Sequence, residues 1–120
     1  MLSTLLFARE GEHIIGCAAL ELYGTVGLLR SVAVHPVSRK RLLGQQLVSF
    51  LLEHAQHLEI QEIYLFTETA SAFFPRFGFS PIERSSVSPA IHASKEWTSL
   101  CPVSAQAMVT TLPLRAGREK

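Results

Sequence analysis

The fold is decided by Leu28-Leu29-Arg30-Ser31-Val32-Ala33-Val34-His35-Pro36-Val37-Ser38-Arg39-Lys40-Arg41-Leu42-Leu43-Gly44 and its continuation to Leu52. The first seven residues form a strand-type apolar run, which breaks at His35-Pro36 because proline cannot donate to a sheet ladder. The basic loop Ser38-Arg39-Lys40-Arg41 then leads into a helical pattern. Leu43, Leu47, Val48, Leu51, Leu52, Ala55 and Leu58 recur at three- and four-residue spacings, an apolar stripe that faces a core. Gln45, Gln46, Ser49, Glu53 and Gln56 fall on the outward side. A strand that ends in a positive turn at a helix N-terminus suits an anion, because the first-turn N–H groups are unpaired and the dipole is positive there. The junction points to an enzyme that uses a phosphorylated cofactor. The plainer alternative is a solvated basic turn, which is what most loop charge amounts to. The loop is neither a Walker motif nor the dinucleotide fingerprint.

Outward from this stretch, Ile60 to Phe66 reads as a short strand, so strand, helix and strand make one βαβ unit with parallel strands and a right-handed crossover. The continuously apolar second half of the Val26–Val34 strand predicts a central position covered on both faces. Upstream, Leu5 to Arg9 and His13 to Leu22 read as strands joined at Glu10-Gly11-Glu12, with a second turn at Tyr23-Gly24-Thr25. Downstream, a brief helix is expected over Ala70 to Phe74, capped from Thr67 or Thr69. Gly78-Phe79-Ser80-Pro81 reads as a turn, Ile82 to Arg84 as the start of a strand, and Ser85 to Pro89 as loop. Ile91 to Leu100 reads as irregular or short helical, Gln106 to Leu112 as a last strand, and Arg115 to Lys120 as a frayed polar end. The fold class is therefore α/β (α+β), with a mixed sheet of about five or six strands in a single domain over residues 1–120.

Composition narrows the function. A chain of 120 residues, 48% of them hydrophobic, fits one globular domain with one core. A net charge of +1 argues against extended nucleic-acid binding, since the Lys and Arg residues form one local cluster rather than a stripe. Two cysteines, Cys17 in a strand pattern and Cys101 in a tail loop, make neither a disulfide scaffold nor a zinc site, and fit a reducing cytoplasm. No apolar run approaches the ~20 residues that span a bilayer, and the N-terminus lacks a basic signal region. His35, His54, His57 and His92 have no metal-ligand spacing, so no metal is expected.

The junction sequence resembles the acetyl-CoA motif of the GCN5-related N-acetyltransferases, Arg/Gln-x-x-Gly-x-Gly/Ala, with Arg39 at its first position and Gly44 at its last. The stretch Thr67-Glu68-Thr69-Ala70-Ser71-Ala72-Phe73-Phe74-Pro75-Arg76-Phe77-Gly78-Phe79 is similar to the family's short helix and aromatic–glycine–phenylalanine signature. Within the superfamily, Gly16-Cys17-Ala18, Leu28-Leu29-Arg30-Ser31, Arg84 and Leu100-Cys101-Pro102-Val103-Ser104-Ala105 resemble the small N-acetyltransferases of arsenic-resistance operons. Three departures stand out. Leu42 replaces the motif's central glycine, with Lys40 where glycine is frequent; Phe74 replaces the usual tyrosine and has no proton to give; and the chain begins at what would be the family's second strand, without its first strand and first two helices.

The resemblance implies acetyl transfer from acetyl-CoA to an amine. Val32, Ala33 and Val34 would lend backbone groups to the pantetheine arm, as strand main chain does for an added strand. Arg39, Lys40, Arg41, Leu42, Leu43, Gly44 and Gln45 would line the pyrophosphate site, with Phe73 and Phe74 at the thiol end. Ordinary core packing accounts for those two phenylalanines equally well. The Val34 N–H is the candidate oxyanion donor. Glu21 is the candidate base, the alternative being an exposed strand-end carboxylate. Arg30, Ser31 and Arg84 are the candidate acceptor residues, because guanidinium forks match carboxylates. Either arginine could instead balance a glutamate, and Arg30, in an apolar strand, should have a partner. A small-molecule amine acceptor and a homodimer are expected, with a folded-back C-terminal strand as the alternative cover for the sheet edge. Neither a nucleic acid nor a membrane is expected as partner. The rival reading is a domain that binds acetyl-CoA without turnover, or serves only in protein interaction.

Overall fold

Gly11 (φ +62°) and Gly24 (φ +68°) occupy the left-handed backbone region, and each opens a tight two-residue turn. They fold β1 (Leu2–Glu10), β2 (His13–Tyr23) and β3 (Val26–Val34) into an antiparallel meander. The computed structural model describes residues 2–34, 43–68, 71–93 and 105–112. After β3 come helix α1 (Leu43–His57), β4 (Glu62–Thr67), β5 (Ser80–Ile82) and β6 (Gln106–Thr111). The six strands form one sheet in the order β1-β2-β3-β4-β6-β5. β3 and β4 are parallel neighbours, as the βαβ pattern requires, and β6 pairs antiparallel with both β4 and β5.

α1 forms where the stripe predicted it and buries Leu47, Val48, Leu51, Leu52 and Ala55, but it ends at His57, and Leu58, the last residue of the expected stripe, is exposed. The buried residues meet Ala18, Leu20, Leu29, Ile63, Leu65 and Met108 from the sheet, with Phe74, Phe77 and Phe79 closing one side. Each fully buried Leu or Ile here contributes about 1.5–3 kcal/mol of transfer free energy. The opposite face has a smaller core of Leu28, Tyr64, Ala107, Val87 and Ile91. Leu28 and Leu29, adjacent on β3, are buried on opposite faces, so the strand is central and doubly covered.

Besides shifts of one to three residues at the ends of β1, β2 and β4, three expectations differ from the structure. The brief helix expected over Ala70 to Phe74 is instead a 3-10 turn over Phe74–Phe77, with Pro75 in its first positions and Gly78 (φ +91°) ending it. Proline's fixed φ suits a helix start, and only glycine takes that C-terminal φ at no cost. Ser80 and Pro81, expected in a turn, are already in β5, which ends at Ile82 where the strand was expected to begin, and Arg84–Ser86 turns as 3-10. The C-terminal strand does not cover the β1 edge: β6 lies between β4 and β5, towards the other side of the sheet. Ala70, Leu100 and Cys101, and the frayed end expected over Arg115 to Lys120, lie outside the described residues.

Candidate functional site

The parallel register of β3 and β4 runs from Val26↔Glu62 through Gly27↔Ile63 to Leu28↔Tyr64 and stops. Both strands continue. β3 remains paired with β2 as far as Gly16↔Val34, and β4 with β6 as far as Thr67↔Gln106. Among the described residues, then, 29–34 of β3 and 65–67 of β4 keep their outer ladders but share none between them. Two strands that part in this way leave backbone N–H and C=O groups facing a gap, and such groups need partners. Val32, Ala33 and Val34 lie in the parted segment.

A bulge accompanies the gap. Cys17 pairs with Ala33 and Ala19 with Arg30, so two residues of β3, Ser31 and Val32, stand opposite one of β2. A bulge adds twist and frees a strand from its ladder, and such features are common beside binding sites. Nothing in the strand-like run Leu28–Val34 signals it, because the extra residue is defined only by the partner's register.

α1 begins at Leu43, at the same end of the sheet as Val34, with no acidic residue in its first turn. Leu43, Gly44 and Gln45, expected to line a pyrophosphate site, form the first turn of α1. Arg39, Lys40, Arg41 and Leu42 lie outside the described residues. Phe74 is buried in the main core, edge-to-face with Phe73 at 5.0 Å and with Phe79 at 5.8 Å. Phe73 is half-buried against that core with Arg76 over its ring at 5.0 Å. Core packing accounts for both rings as they stand.

Polar groups gather on the other face. Glu21 is only 7% exposed, not the exposed strand-end carboxylate of the alternative reading. Tyr23 Oη donates to Glu21 Oε1 at 2.6 Å, and Arg30 Nη1 donates to Glu21 Oε2 at 2.5 Å. Arg30 therefore has the partner that an arginine in an apolar strand demands. Across the gap, Phe66 follows Tyr64 on the same face of β4, and the Arg84 guanidinium lies over its ring at 5.2 Å. Arg30 and Phe66 each stand two residues beyond the last paired positions, Leu28 and Tyr64. The sheet thereby brings Arg30 and Arg84 towards one opening from its two sides. Arg84 also lines an open cleft of about 500 Å³ with Glu83, Ala105 and Gln106.

Tyr64 fixes the segment that carries Arg84. Its hydroxyl is raised above the usual tyrosine value, first by burial, then by its bond to the Glu62 carboxylate at 3.0 Å and that group's charge; the Ser88 N–H opposes the shift. Tyr64 Oη thus donates to Glu62 and accepts from Ser88, while Val87 and Ile91 sink into the core beside it. Tyr23, Tyr64 and Phe66 were not singled out by the sequence; strand alternation could have put Tyr64 and Phe66 on one face, but not shown what covers them. Among the described residues no group of three His, Cys, Asp or Glu could hold a metal ion, and no helix is long and apolar enough to cross a membrane.

A family model described as acetyltransferase (GNAT) domain matches residues 2–81. An amino-acid acetyltransferase of Mycobacterium tuberculosis is 37% identical over 71 residues, 58% of this chain and 40% of that protein. One from Aeromonas salmonicida is 36% identical over 80 residues, 65% of this chain and 18% of that protein. The chain thus spans less than half the length of these relatives. Rv2747 of Mycobacterium tuberculosis, solved in complex with CoA and NLQ, superposes with a TM-score of 0.76 at 25% identity, over 90% of this chain and 75% of that one. N-acetylglutamate synthase of Neisseria gonorrhoeae, complexed with coenzyme A and N-acetyl-glutamate, shares the fold with a TM-score of 0.79 at 18% identity. That match covers 90% of this chain and 25% of the synthase.

Proposed function

The chain belongs to the acetyltransferase (GNAT) domain family, and from that premise we propose that it transfers acetyl from acetyl-CoA to the amine of a small, anionic, amino-acid-like acceptor. The observation that carries the proposal is the parting of β3 from β4 with a bulge at Ser31–Val32. Backbone freed there can bind an extended amide-bearing arm as it would bind a strand. Val32, Ala33 and Val34 would hold the pantetheine portion. Leu43, Gly44 and Gln45, with Arg39, Lys40, Arg41 and Leu42 before them, would hold the pyrophosphate at the N-terminus of α1.

The two faces divide the work. α1 lies on one face of the gap, and Glu21, Tyr23, Arg30, Phe66 and Arg84 lie on the other. The cofactor side is α1's, and the acceptor reaches the thioester from the polar face, where Arg30, Ser31 and Arg84 would receive its carboxylate. Acetyl-CoA supplies an acyl group already activated as a thioester. The Val34 N–H is our donor for charge developing on the carbonyl oxygen. Glu21, the candidate base, has one oxygen on Tyr23 and the other on Arg30, so its first role in this proposal is to hold Arg30 in position. Phe74 offers no proton, but a thiol with a pKa of about 8.5 leaves as thiolate without one. The acceptor class follows the amino-acid acetyltransferase relatives, while an organoarsenical or phosphinate acceptor rests on sequence resemblance alone.

Binding without turnover is the second reading, favoured by the hydroxyl-free, core-packed Phe74. We further propose a cytoplasmic homodimer of this single domain with neither nucleic acid nor membrane as partner, in keeping with its net charge of +1. Calorimetric titration of acetyl-CoA, followed by thiol release across neutral, cationic and acidic amino acids and their phosphinate and arsinate analogues, tests the proposal. An active enzyme binds acetyl-CoA and releases thiol with acidic acceptors. Arg84→Ala should raise the KM for such an acceptor about 10- to 100-fold, the worth of a charged hydrogen bond, and leave the KM for acetyl-CoA unchanged. Heat of binding without thiol release establishes the second reading, and no heat at millimolar acetyl-CoA removes both.

A further inference from the structure

Arg84 is rooted beside one edge of the sheet, and its charged end lies near the middle. It follows β5 by two residues, yet its guanidinium lies over the ring of Phe66 on β4 at 5.2 Å. β6 runs between those two strands, and its Ala107 pairs with Phe66 on one side and Ile82 on the other. All three belong to the same small core, so they form one row on the face away from α1. Neighbouring strands lie about 4.8 Å apart, so the reach from β5 to β4 is about 10 Å, over a residue with only a methyl side chain. Across the gap, Arg30 and Phe66 stand at the same level, each two residues past the last β3–β4 pair. The ring of Phe66 thus marks where a side chain rooted beside β5 arrives at the gap, facing Arg30.

The backbone alone does not dictate that arrival. The turns that follow are anchored through the Val87 N–H on the Arg84 carbonyl, the Ser88 N–H on the Tyr64 hydroxyl, and the buried side chains of Val87 and Ile91. These contacts place the main chain of Arg84 and leave its side-chain torsions to be set by something else. An arginine gives up much rotamer freedom when it is held in one geometry. It also has somewhere else to go, because it lines the open cleft of about 500 Å³ beside Glu83, an exposed carboxylate. We propose that Phe66 is a positioning residue: its ring holds the Arg84 guanidinium at the gap, so that one anionic group of the acceptor meets Arg84 and Arg30 together. The proposal rests on the acceptor reading above and explains how a residue from the far side of the sheet takes part in it. Arg30 is held by the carboxylate of Glu21. A ring face attracts a cation without bringing a negative charge of its own, so the hold of Phe66 on Arg84 does not weaken the field that draws an anion.

Kinetics with acetyl-CoA and L-glutamate test this. Phe66→Leu and Phe66→Met keep an apolar side chain at a half-buried position and remove the ring face. Either should raise the KM for L-glutamate about 3- to 30-fold, the range of a cation–ring contact, with kcat and the KM for acetyl-CoA little changed. Phe66→Tyr keeps the ring and should restore the wild-type KM. In an Arg84→Ala background, Phe66→Leu should have no further effect, because the ring acts only through that guanidinium. Calorimetric affinity for L-glutamate in the presence of coenzyme A repeats the cycle without turnover. L-Glutamate binding weakened by Arg84→Ala but not by loss of the ring overturns the positioning role alone. Additive effects in the double variant overturn it too, since the ring would then act on its own. L-Glutamate binding that is absent, or indifferent to Arg84→Ala, in both assays overturns the acceptor reading of Arg84 and the positioning role with it.

Discussion

The two faces of the sheet are built on different principles. The α1 face is closed by one regular helix whose five buried residues meet an almost wholly apolar set, and its stability comes from packing. The opposite face is closed by irregular 3-10 turns over 84–93, and it holds Glu21, Tyr23, Arg30, Tyr64 and Arg84 in hydrogen bonds, an ion pair and a stacked ring. A regular helix offers few places for a polar side chain to reach the sheet; short turns offer several. The polar face can therefore receive a charged ligand while the apolar face keeps the strands in register.

If that contrast is right, the largest loss comes from the apolar face. Leu51→Ala, at a position 2% exposed, should cost about 2–5 kcal/mol in denaturant unfolding with unchanged preference among acceptors. On the polar face, Glu21→Leu strips Arg30 of its ion-pair partner and should cost about 2 kcal/mol, discounted for the quarter exposure of Arg30. The double variant Glu21→Leu, Arg30→Met should recover part of that loss, and a strictly additive cycle would show that the pair is not coupled.

Tyr64→Phe should cost about 1 kcal/mol at neutral pH. Because the folded state raises the hydroxyl above its ordinary value of 10.0, the wild-type advantage is fully present below pH 10 and vanishes as pH rises through the folded value. Urea midpoints of the two proteins should draw together as pH rises above 10; a difference that stays constant would contradict the raised hydroxyl. The smallest effect lies outside both faces. Glu59 carries φ +63° where α1 ends, with the Ile60 N–H bonded to the Ala55 carbonyl at 3.0 Å, a helix stop that favours glycine. Glu59→Gly should stabilise by up to about 1 kcal/mol in the same assay, and a loss would mean that its side chain matters more than its backbone.

What could be read in advance follows the same division. The stripe of α1, the two glycine turns and the parallel pairing of the strands flanking the helix depend on local pattern and crossover handedness, and they appear as expected. The insertion of β6 between β4 and β5 depends on pairing between segments far apart in sequence, such as Thr67 with Gln106 and Ile82 with Ala107, for which periodicity carries no signal. The same holds for the bulge at Ser31–Val32. Arg30 could be assigned a partner because an unpaired charge in an apolar strand is costly, yet the identity of Glu21 needed the β2–β3 register. The short helix near Phe74 was displaced because Pro75 and Gly78 fix where a turn can start and stop, and those two constraints outweigh the polar run before them.

The central claim is that the gap between β3 and β4 receives acetyl-CoA. Amide hydrogen exchange, followed residue by residue as acetyl-CoA is added, tests it most directly. The account predicts protection at Val32, Ala33 and Val34 and in the first turn of α1 at Leu43 and Gly44, with β5 and the middle of β6 unchanged. Protection confined to other strands, or none at saturating ligand, would contradict it.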